Sequence, residues 1–211
     1  MSLARRLAPS LLVLLCLGVA AAPVRAATTP PDEASKFVED LGNRAVALFS
    51  NYSPSEAAKS EEEFRKIFRE GFDFQLIGRF VLGRFWHSAT PEQQAEYRKL
   101  FEDWVLNTYT RRIGAYRGET FKITGVHTIQ DDDALVDTEI VRPDAPPIKA
   151  GWRVRSVDGQ MKIIDVMVEG VSMALTQRQE FASVIQNKGL DGLLDELKER
   201  LAKLKEASGN S

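Results

Sequence analysis

The segment KIIDVMVEGVSMAL, residues 162–175, contains the arrangement in this chain that best fits a nucleophile. An apolar, strand-like run ends at Glu169-Gly170, and Ser172 follows one residue after the glycine. A strand, then Gly-x-Ser, then a helix is the outline of a nucleophile elbow, in which a strained turn exposes a serine hydroxyl. The corresponding chemistry would be ester hydrolysis.

Three features of the sequence argue against a catalytic role for Ser172. The full motif is G-x-S-x-G, and Ala174 stands where the last glycine is needed. A capping pattern at Thr176 predicts that the next helix starts four residues after Ser172, so the serine lies away from the helix tip. Both histidines, His87 and His127, precede Ser172, which excludes the hydrolase order Ser…Asp/Glu…His, although triads in other orders exist. We therefore expect a turn residue bonded to the backbone, with a hydrolase that uses Ser172 as an alternative.

The remaining titratable residues predict no metal and no cofactor. Two histidines forty residues apart and the lack of an H-E-x-x-H motif leave no set of zinc ligands. The run 131–133, three aspartates, lacks the spaced oxygens and the glycine of an EF-hand loop and predicts a solvated turn. Asp165 falls beside Trp152 in the hairpin register derived below. We expect its carboxylate to accept from a backbone amide or an arginine, and contact with a ligand is the alternative.

The N-terminus predicts export across a membrane. A basic pair, Arg5-Arg6, precedes an apolar run over 7–22, and small residues follow up to Ala26. This is the pattern of a secretory signal peptide, residues 1–26, cleaved after Ala26. A membrane anchor fits less well, because the run is short for a spanning helix and prolines flank it.

Composition restricts the function of the mature chain. The signal removes three arginines and no acid, so the formal net charge falls from −2 to about −5, which disfavours nucleic acid as a partner. The single cysteine, Cys16, lies inside the predicted signal, so the mature protein enters an oxidising compartment without disulfides. We expect a bacterial periplasmic protein that is stabilised by burial of apolar surface.

Helices are predicted over 36–113 and 176–205. An amphipathic stretch begins at Phe37, and the patterns SPSE at Ser53 and TPEQ at Thr90 each predict a capping box, the second at the start of a helix of about twenty residues. Asn187-Lys188-Gly189 ends the helix that begins at Thr176, and a leucine-rich helix follows.

Between these regions the apolar period changes to two, and four strands are predicted within 119–168: ETFKITGV, ALVDTEIV, IKAGWRVRSV and QMKIIDVMV. Asp158-Gly159 predicts a type I′ turn. A two-residue loop there pairs Ser156 with Met161 and Val154 with Ile163, and further along pairs Trp152 with Asp165 and Ala150 with Met167. The face that carries Trp152 is then the apolar one.

This order of elements predicts an α+β fold, in which a curved four-stranded antiparallel sheet is wrapped by N- and C-terminal helices around an apolar cavity. A single domain would span 27–206, followed by a disordered tail over 207–211.

Four segments of the mature chain, in this order, resemble the MlaC-like, or toluene-tolerance auxiliary, family: FVLGRFWHSATPEQQAEYRKLFEDWV, AYRGETF, DVMVEGVSMALTQRQEF and NKGLDGLLDEL. The similarity covers residues 37–204. EGVSMALTQRQEFASVIQ is closer to the hopanoid-associated HpnM branch, and NKGLDG is closer to the phospholipid branch, so both branches stay open.

The resemblance implies a periplasmic lipid carrier with an NTF2-like sheet, whose pocket takes the acyl or hydrocarbon part of a phospholipid or hopanoid. It implies an inner-membrane lipid transporter of the MCE or RND type as a partner, and an outer-membrane lipoprotein/porin complex as a further one. We expect a monomer and no enzyme activity. The alternatives are a periplasmic lipid hydrolase that uses Ser172 and an envelope assembly factor that carries no lipid.

Helix stripes and strand phases indicate which side chains face a pocket between the two layers. The predicted lipid-binding residues are Phe85, Phe101, Trp104, Val105, Tyr109, Ile123, Ile140, Trp152, Met167, Val171 and Met173.

Overall fold

A computed structural model of the chain describes residues 29–110, 116–130 and 133–209. The predicted signal peptide, Asp131, Asp132 and the last two residues of the predicted tail lie outside the described residues. Within the described part, none of the helices is both long enough and apolar enough to cross a bilayer.

Of the residues described before the sheet, five segments are α-helices: α1 Pro31–Ser50, α2 Ala57–Gly71, α3 Phe74–Leu82, α4 Phe85–Ser88 and α5 Pro91–Thr110. The predicted capping box at Thr90 is confirmed, since the Thr90 amide donates to Gln93 Oε1 over 3.0 Å and the Gln93 amide donates to Thr90 Oγ1 over 3.2 Å. The box predicted at Ser53 is wrong. A 3₁₀ turn, Pro54–Glu56, follows Ser53, whose hydroxyl lies 2.8 Å from that of Ser55 and makes no capping bond.

The strands are β1 Thr120–Thr128, β2 Ala134–Arg142, β3 Ala145–Val157, β4 Gln160–Val168 and β5 Val171–Ser172, in one antiparallel sheet of that order. The α+β fold with a curved antiparallel sheet is therefore confirmed, with a short fifth strand added. β3 begins earlier than predicted and includes Pro146. A proline is tolerated there because Pro146 lies in an irregular part of the β2–β3 pairing, between the pairs Arg142–Ala145 and Ile140–Ile148, and residues 145–148 have no partner on β4.

The hairpin turn between β3 and β4 is as predicted. Asp158 and Gly159 have φ values of 49° and 77°, the left-handed conformations of a type I′ turn. The predicted pairs Ser156–Met161 and Val154–Ile163 are also confirmed.

Further along β4 the predicted register is wrong, because a β-bulge follows Ile163. Ile164 has no opposite residue on β3, so Arg153 pairs with Asp165 and Trp152 pairs with Val166. A shift of one residue moves side chains to the other face of a sheet. Asp165 and Met167 therefore lie on the face opposite to Trp152. The predicted pair Ala150–Met167 is replaced by Ala150–Val168.

After the sheet, α6 spans Met173–Gly209 and is divided at Gly189, whose φ of 74° and ψ of 174° are not helical. The predicted boundary between two helices at Gly189 is confirmed. The predicted start at Thr176 is wrong, because helical geometry begins at Met173. The helix also extends through residues 207–209, which were expected to belong to the tail.

Most of the buried apolar side chains among the described residues form two groups. The helical cluster joins α3–α6, and its largest fully buried members include Tyr97, Phe181 and Leu197. The sheet cluster joins α1 to the inner face of the sheet through Val38, Val136, Val154 and Ile163, among others. Tyr97 donates to the Gly78 carbonyl over 3.0 Å, and burial raises the pKa of its phenol, so it stays a donor.

Candidate functional site

A cavity of about 590 Å³ lies between α1, α2 and the inner face of the sheet. Its volume is within the range of small-molecule sites in proteins. Apolar side chains dominate its wall. The lining residues are Val38, Leu41, Gly42, Ala45, Val46, Phe49, Ile67, Phe68, Phe72, Tyr116, Glu119, Thr120, Phe121, Ile140, Arg142, Ile148, Trp152 and Ile163.

Helix α1 supplies one wall of the cavity. Leu41, Ala45 and Phe49 recur every four residues and so lie on one face of the helix. Gly42 lies on the same wall and allows close approach of β1, since a Cβ at this position would come within 2.3 Å of the Phe121 ring. The Phe121 side chain can therefore lie directly against the backbone of α1.

Stacked aromatic rings form the wall on the side of α2. The ring centroids of Phe49 and Phe64 are 5.6 Å apart, those of Phe64 and Phe68 are 4.5 Å apart, and those of Phe68 and Phe72 are 4.7 Å apart. Tyr109 of α5 stacks on Phe68 at 5.9 Å. Ring pairs at these separations contribute about 0.5–1.5 kcal/mol each beyond their buried area, so the aromatic side chains stabilise this wall.

The sheet provides the opposite wall through Ile140, Ile148, Trp152 and Ile163. Trp152 satisfies its only polar atom away from the cavity, because its Nε1 donates to Thr138 Oγ1 over 3.0 Å. Thr138 in turn donates to the Ala150 carbonyl over 3.0 Å. The indole can therefore face an apolar ligand without leaving an unpaired donor.

The polar lining residues all come from segments that meet at one end of the sheet. Arg142 donates to the Pro146 carbonyl from Nε over 2.9 Å and from a terminal nitrogen over 2.5 Å. Glu119 accepts the Arg117 amide over 2.7 Å, and this bond, together with smaller effects of nearby charge, lowers the pKa of its carboxyl. The hydroxyl of Tyr116 accepts from Ser50 Oγ over 3.2 Å. The cavity is thus apolar inside and charged at one end.

This arrangement can bind a molecule with a hydrocarbon part and a polar part. The described lining residues hold no serine, cysteine or histidine, so they offer no nucleophile with an imidazole base. Over the described residues, no group of three or more His, Cys, Asp or Glu side chains is arranged to hold a metal ion.

The structure separates the side chains that the sequence grouped as one pocket. Ile140 and Trp152 line the cavity, and Ile123 packs beside them in the sheet cluster. Tyr109 touches the cavity wall through Phe68 and is 37% exposed. Four others belong to the helical cluster: Phe85, Phe101, Trp104 and Val105.

The last three predicted residues lie near the β4–β5 hairpin. Met167 borders a second depression of about 450 Å³, on the outer face of the sheet, beside Asp137 and Gly151. Val171 is 54% exposed in β5, and Met173 is the first residue of α6. None of the three borders the large cavity.

Sequence reasoning missed the contribution of α1 and α2. Leu41, Ala45 and Phe49 lie in the amphipathic stretch that begins at Phe37, but periodicity does not distinguish a cavity wall from a packed core. Phe68 lies with Phe64 in the charged segment EEEFRKIFRE, where two phenylalanines indicate a buried helix face and not a cavity. Phe121 sits in a strand of the expected period, and only its contact with Gly42 reveals its place on the cavity wall.

Ser172 is the N-cap of α6. Its hydroxyl donates to Asp165 Oδ2 over 2.5 Å and accepts the Leu175 amide over 3.0 Å. The expected bond to the backbone is confirmed, but the prediction that Ser172 lies in a turn away from the helix tip is wrong, because Ser172 ends β5 and directly precedes α6. Thr176 lies within the first turns of the helix and donates to the Ser172 carbonyl over 2.8 Å.

Asp165 lies beside Ser172 on the outer face, so its predicted place beside Trp152 is wrong. The expected bond to a backbone amide is confirmed, because Oδ1 accepts from Ala174 over 3.0 Å and from Val166 over 2.8 Å. His127 is engaged elsewhere, with Nε2 at 2.7 Å from Asp137 Oδ2. The Ser172 hydroxyl thus uses its hydrogen bonds to join Asp165 to the start of α6, so its role is structural.

The run of aspartates contains a buried residue, contrary to the predicted solvated turn. The Asp133 side chain is 0% exposed and binds two arginines. Its Oδ2 accepts from Arg153 Nε and its Oδ1 from Arg155 Nε, each over 2.6 Å. Paired charges of this kind belong to the framework that holds β3 to the start of β2.

Comparison with known proteins gives a family match. The family model described as "MlaC protein" matches residues 40–199. The toluene tolerance protein ttg2D of Pseudomonas putida is 24% identical over 130 residues, which are 61% of this chain and 60% of that protein. The intermembrane phospholipid transport system binding protein MlaC of Haemophilus influenzae is 21% identical over 131 residues, 60% of this chain and 61% of that one. The aligned part thus spans about three fifths of these curated relatives.

A solved structure shares the fold. The phospholipid-binding protein of Ralstonia solanacearum, determined in complex with a phospholipid, superposes with a TM-score of 0.71 and is 25% identical. The match covers 82% of this chain and 98% of that one.

Proposed function

Because this chain belongs to the MlaC family, we propose that it is a periplasmic lipid carrier, which binds the hydrocarbon part of a phospholipid in the cavity between α1, α2 and the sheet. The observation that carries the proposal is the apolar cavity itself, in a fold shared with a protein solved in complex with a phospholipid. The protein binds and releases its ligand and catalyses no reaction.

The size of the cavity limits what it can hold in this conformation. A methylene group is about as large as a water molecule, whose share of liquid volume is roughly 30 Å³, so 590 Å³ holds on the order of 20 such groups. That is one long acyl chain. A lipid with two chains requires α1 to move outward or leaves part of the second chain at the charged end.

The energetic reason for a carrier follows from the cost of exposing hydrocarbon to water. Each methylene costs about 0.8 kcal/mol, so a chain of roughly 16 carbons costs on the order of 12 kcal/mol to cross an aqueous space unaided. Burial among Leu41, Phe68 and Trp152 removes most of this barrier. The polar headgroup then stays near Tyr116, Glu119 and Arg142.

The wider setting of the carrier is part of the proposal. Export through the signal peptide places it in the periplasm, where it takes lipid from, or gives lipid to, an inner-membrane transporter of the MCE type. The relative named as the binding protein of an intermembrane phospholipid transport system supports this choice. A hopanoid cargo with an RND-type transporter, and an outer-membrane lipoprotein/porin complex as the second partner, remain predictions from the sequence.

Solvent extraction of the purified mature protein, followed by mass spectrometry, tests the function. We expect lipid at a near-stoichiometric ratio, and the species found distinguishes phospholipid from hopanoid. A folded protein that co-purifies with no lipid after expression in its own periplasm would contradict the carrier and favour an assembly factor.

Phenylalanine substitutions at two alanines of α1 test where the lipid binds. Ala45 lines the cavity, whereas Ala47 is exposed on the same helix. Ala45→Phe fills part of the cavity and should sharply lower the lipid ratio, while Ala47→Phe should leave it unchanged. Equal lipid ratios in the two variants would refute this location.

A pair of tryptophan variants separates the cavity from the helical cluster that the sequence also indicated. Trp152→Ala removes a cavity wall and should reduce lipid content. Trp104→Ala should lower stability by about 3 kcal/mol, the usual cost of truncating a large core side chain, but keep the lipid ratio. Loss of lipid in a folded Trp104→Ala protein would instead support the original grouping.

A further inference from the structure

Four arginines, from α3, the α3–α4 turn, α5 and α6, form a surface cluster that the cavity does not use. Its members, named the arginine cluster from here on, are Arg79, Arg84, Arg98 and Arg178. Arg79 and Arg98 both lie over Trp86, with guanidinium carbons 5.9 and 4.7 Å from the ring centroid. The indole is buried beneath them.

The other two members are held close together by the turn between α3 and α4. Arg84 lies 4.9 Å from the Phe85 ring, and Arg178 lies 5.0 Å from the Phe80 ring. A Cβ at Gly83 would come within 2.9 Å of Arg178 Nε, so this guanidinium rests on the backbone next to Arg84. Gly83 also has a φ of +59°, which favours glycine here. The α6 arginine is thus joined to the α3–α4 surface.

The charge of the arginine cluster is not neutralised by the protein. Across residues 29–110, 116–130 and 133–209, carboxylates pair with Arg44, Arg69 and Arg200, but none lies within 4.0 Å of a cluster member. Stacking on aromatic rings positions each guanidinium without cancelling its charge. In a chain with a net charge of −2, this is a local site for an anionic partner.

Two apolar side chains are exposed within the same surface. Phe80, under Arg178, is 43% exposed, and Leu175 is 47% exposed. Leu175 precedes Arg178 by three residues and so lies on the same side of α6. Cations next to exposed phenyl and isobutyl groups are the composition of surfaces that rest in a membrane interface.

We propose that the arginine cluster, with Phe80 and Leu175, docks the protein on the surface of an anionic phospholipid bilayer. A bilayer supplies a continuous layer of phosphates, and it accepts isolated apolar side chains without shape complementarity. An acidic protein surface is the alternative occupant, and the vesicle experiment below separates the two. The surface is separate from the cavity, so the inference goes beyond the carriage of lipid.

Sedimentation with vesicles tests the proposal on the full mature protein. The protein should bind vesicles of phosphatidylglycerol mixed with phosphatidylcholine and not vesicles of phosphatidylcholine alone, and binding should weaken as salt is added. Arg84→Gln/Arg178→Gln should bind the mixed vesicles about 30-fold more weakly. This variant keeps both arginines that cover Trp86, so the helical cluster is preserved.

A matched control removes the same charge elsewhere. Lys36 on α1 and Lys66 on α2 are exposed, and Lys36→Gln/Lys66→Gln should bind the mixed vesicles like the parent protein. If both double variants bound the mixed vesicles equally weakly, net charge alone would explain the loss of binding, and the proposal would be overturned. Failure of the parent protein to bind the mixed vesicles would also overturn it and would favour an acidic protein surface. Lipid content, measured on the same samples, reports the cavity separately.

Discussion

At the scale of single residues, Ser172, the candidate nucleophile of the sequence, is the N-cap of α6 in the structure. Because its hydroxyl accepts the Leu175 amide, Ser172→Ala should lower the free energy of unfolding by about 1 kcal/mol. Denaturant unfolding measures this, with Ser172→Thr as the variant that keeps a capping hydroxyl. Lipid content should be unchanged in both. An esterase activity that is present in the parent and lost only in Ser172→Ala would support the hydrolase instead.

Asp133 offers a second residue whose role the sequence did not show. Its fully buried carboxylate binds Arg153 and Arg155, so Asp133→Asn should destabilise the protein by about 3 kcal/mol, the usual cost of removing one partner from a buried pair. Asp137→Asn is the matched control. That carboxylate is 39% exposed beside His127, and its loss should cost less than about 1 kcal/mol. Similar losses in the two variants would contradict the distinction.

Local sequence predicted these sites only where the partners are close in the chain. The cap at Thr90 uses Gln93, three residues away, and was predicted correctly. Asp133 binds residues 20 and 22 positions away, so nothing adjacent to it distinguishes it from a solvated turn. The capping pattern at Thr176 predicted that the last helical region starts there. The helix begins at Met173 instead, because the Ser172 hydroxyl bonds to Asp165 and accepts the Leu175 amide.

At the scale of elements, the contact between α1 and β1 shapes the cavity. Gly42→Ala improves helix propensity by up to about 1 kcal/mol, but its new methyl group would overlap the Phe121 ring. The ring should rotate into the cavity, so lipid content should fall while stability changes little. Gly42→Ala/Phe121→Leu, which removes the overlapping ring edge, should recover lipid. Full lipid content in Gly42→Ala alone would contradict this prediction, because it would mean that the Phe121 ring moves elsewhere than into the cavity.

The β3–β4 hairpin shows why element types are easier to predict than side-chain placement. Alternation and Asp158-Gly159 gave both strands, the turn and the first pairs correctly. The bulge at Ile164 has no signature in the run KIIDVMV, which contains no glycine or proline to mark an irregular pairing. One extra residue was enough to move Asp165 and Met167 to the outer face, away from the cavity beside Trp152.

At the scale of the whole molecule, the part that contains the helical cluster is tightly packed, and the part that contains the sheet encloses the cavity. The helical cluster fills the space between α3, α5 and α6, and the cavity lies between the second half of α1, the end of α2 and the sheet. Apolar stripes on α1 and α5 look alike in the sequence, because periodicity reports which face is buried and not whether a neighbouring side chain or a ligand covers it. That is why Phe101 and Trp104 were assigned to the pocket and Phe68 was not.

This division predicts where bound lipid stabilises the protein. Only Ala34 and Val38 of the 20 residues of α1 are buried, and Leu41, Ala45 and Phe49 in its second half border the cavity. Without lipid, this half keeps its contacts with Phe64, Tyr116 and Phe121 but loses those made to the ligand, so it should open locally at lower cost than in the loaded protein. A ligand that binds the native state stabilises it according to its concentration and affinity, and here the gain should be concentrated in α1.

Hydrogen exchange on the loaded and the delipidated protein measures this difference. Amides over 41–50 should exchange faster after lipid removal, and refilling with phosphatidylglycerol should restore their protection. Amides near Phe181 and Leu197 in the helical cluster serve as the internal control and should exchange at the same rate in both states. Uniform acceleration across both halves would mean that lipid stabilises the fold globally. Unchanged rates over 41–50 would mean that α1 does not cover the lipid, and the cavity assignment would have to be abandoned.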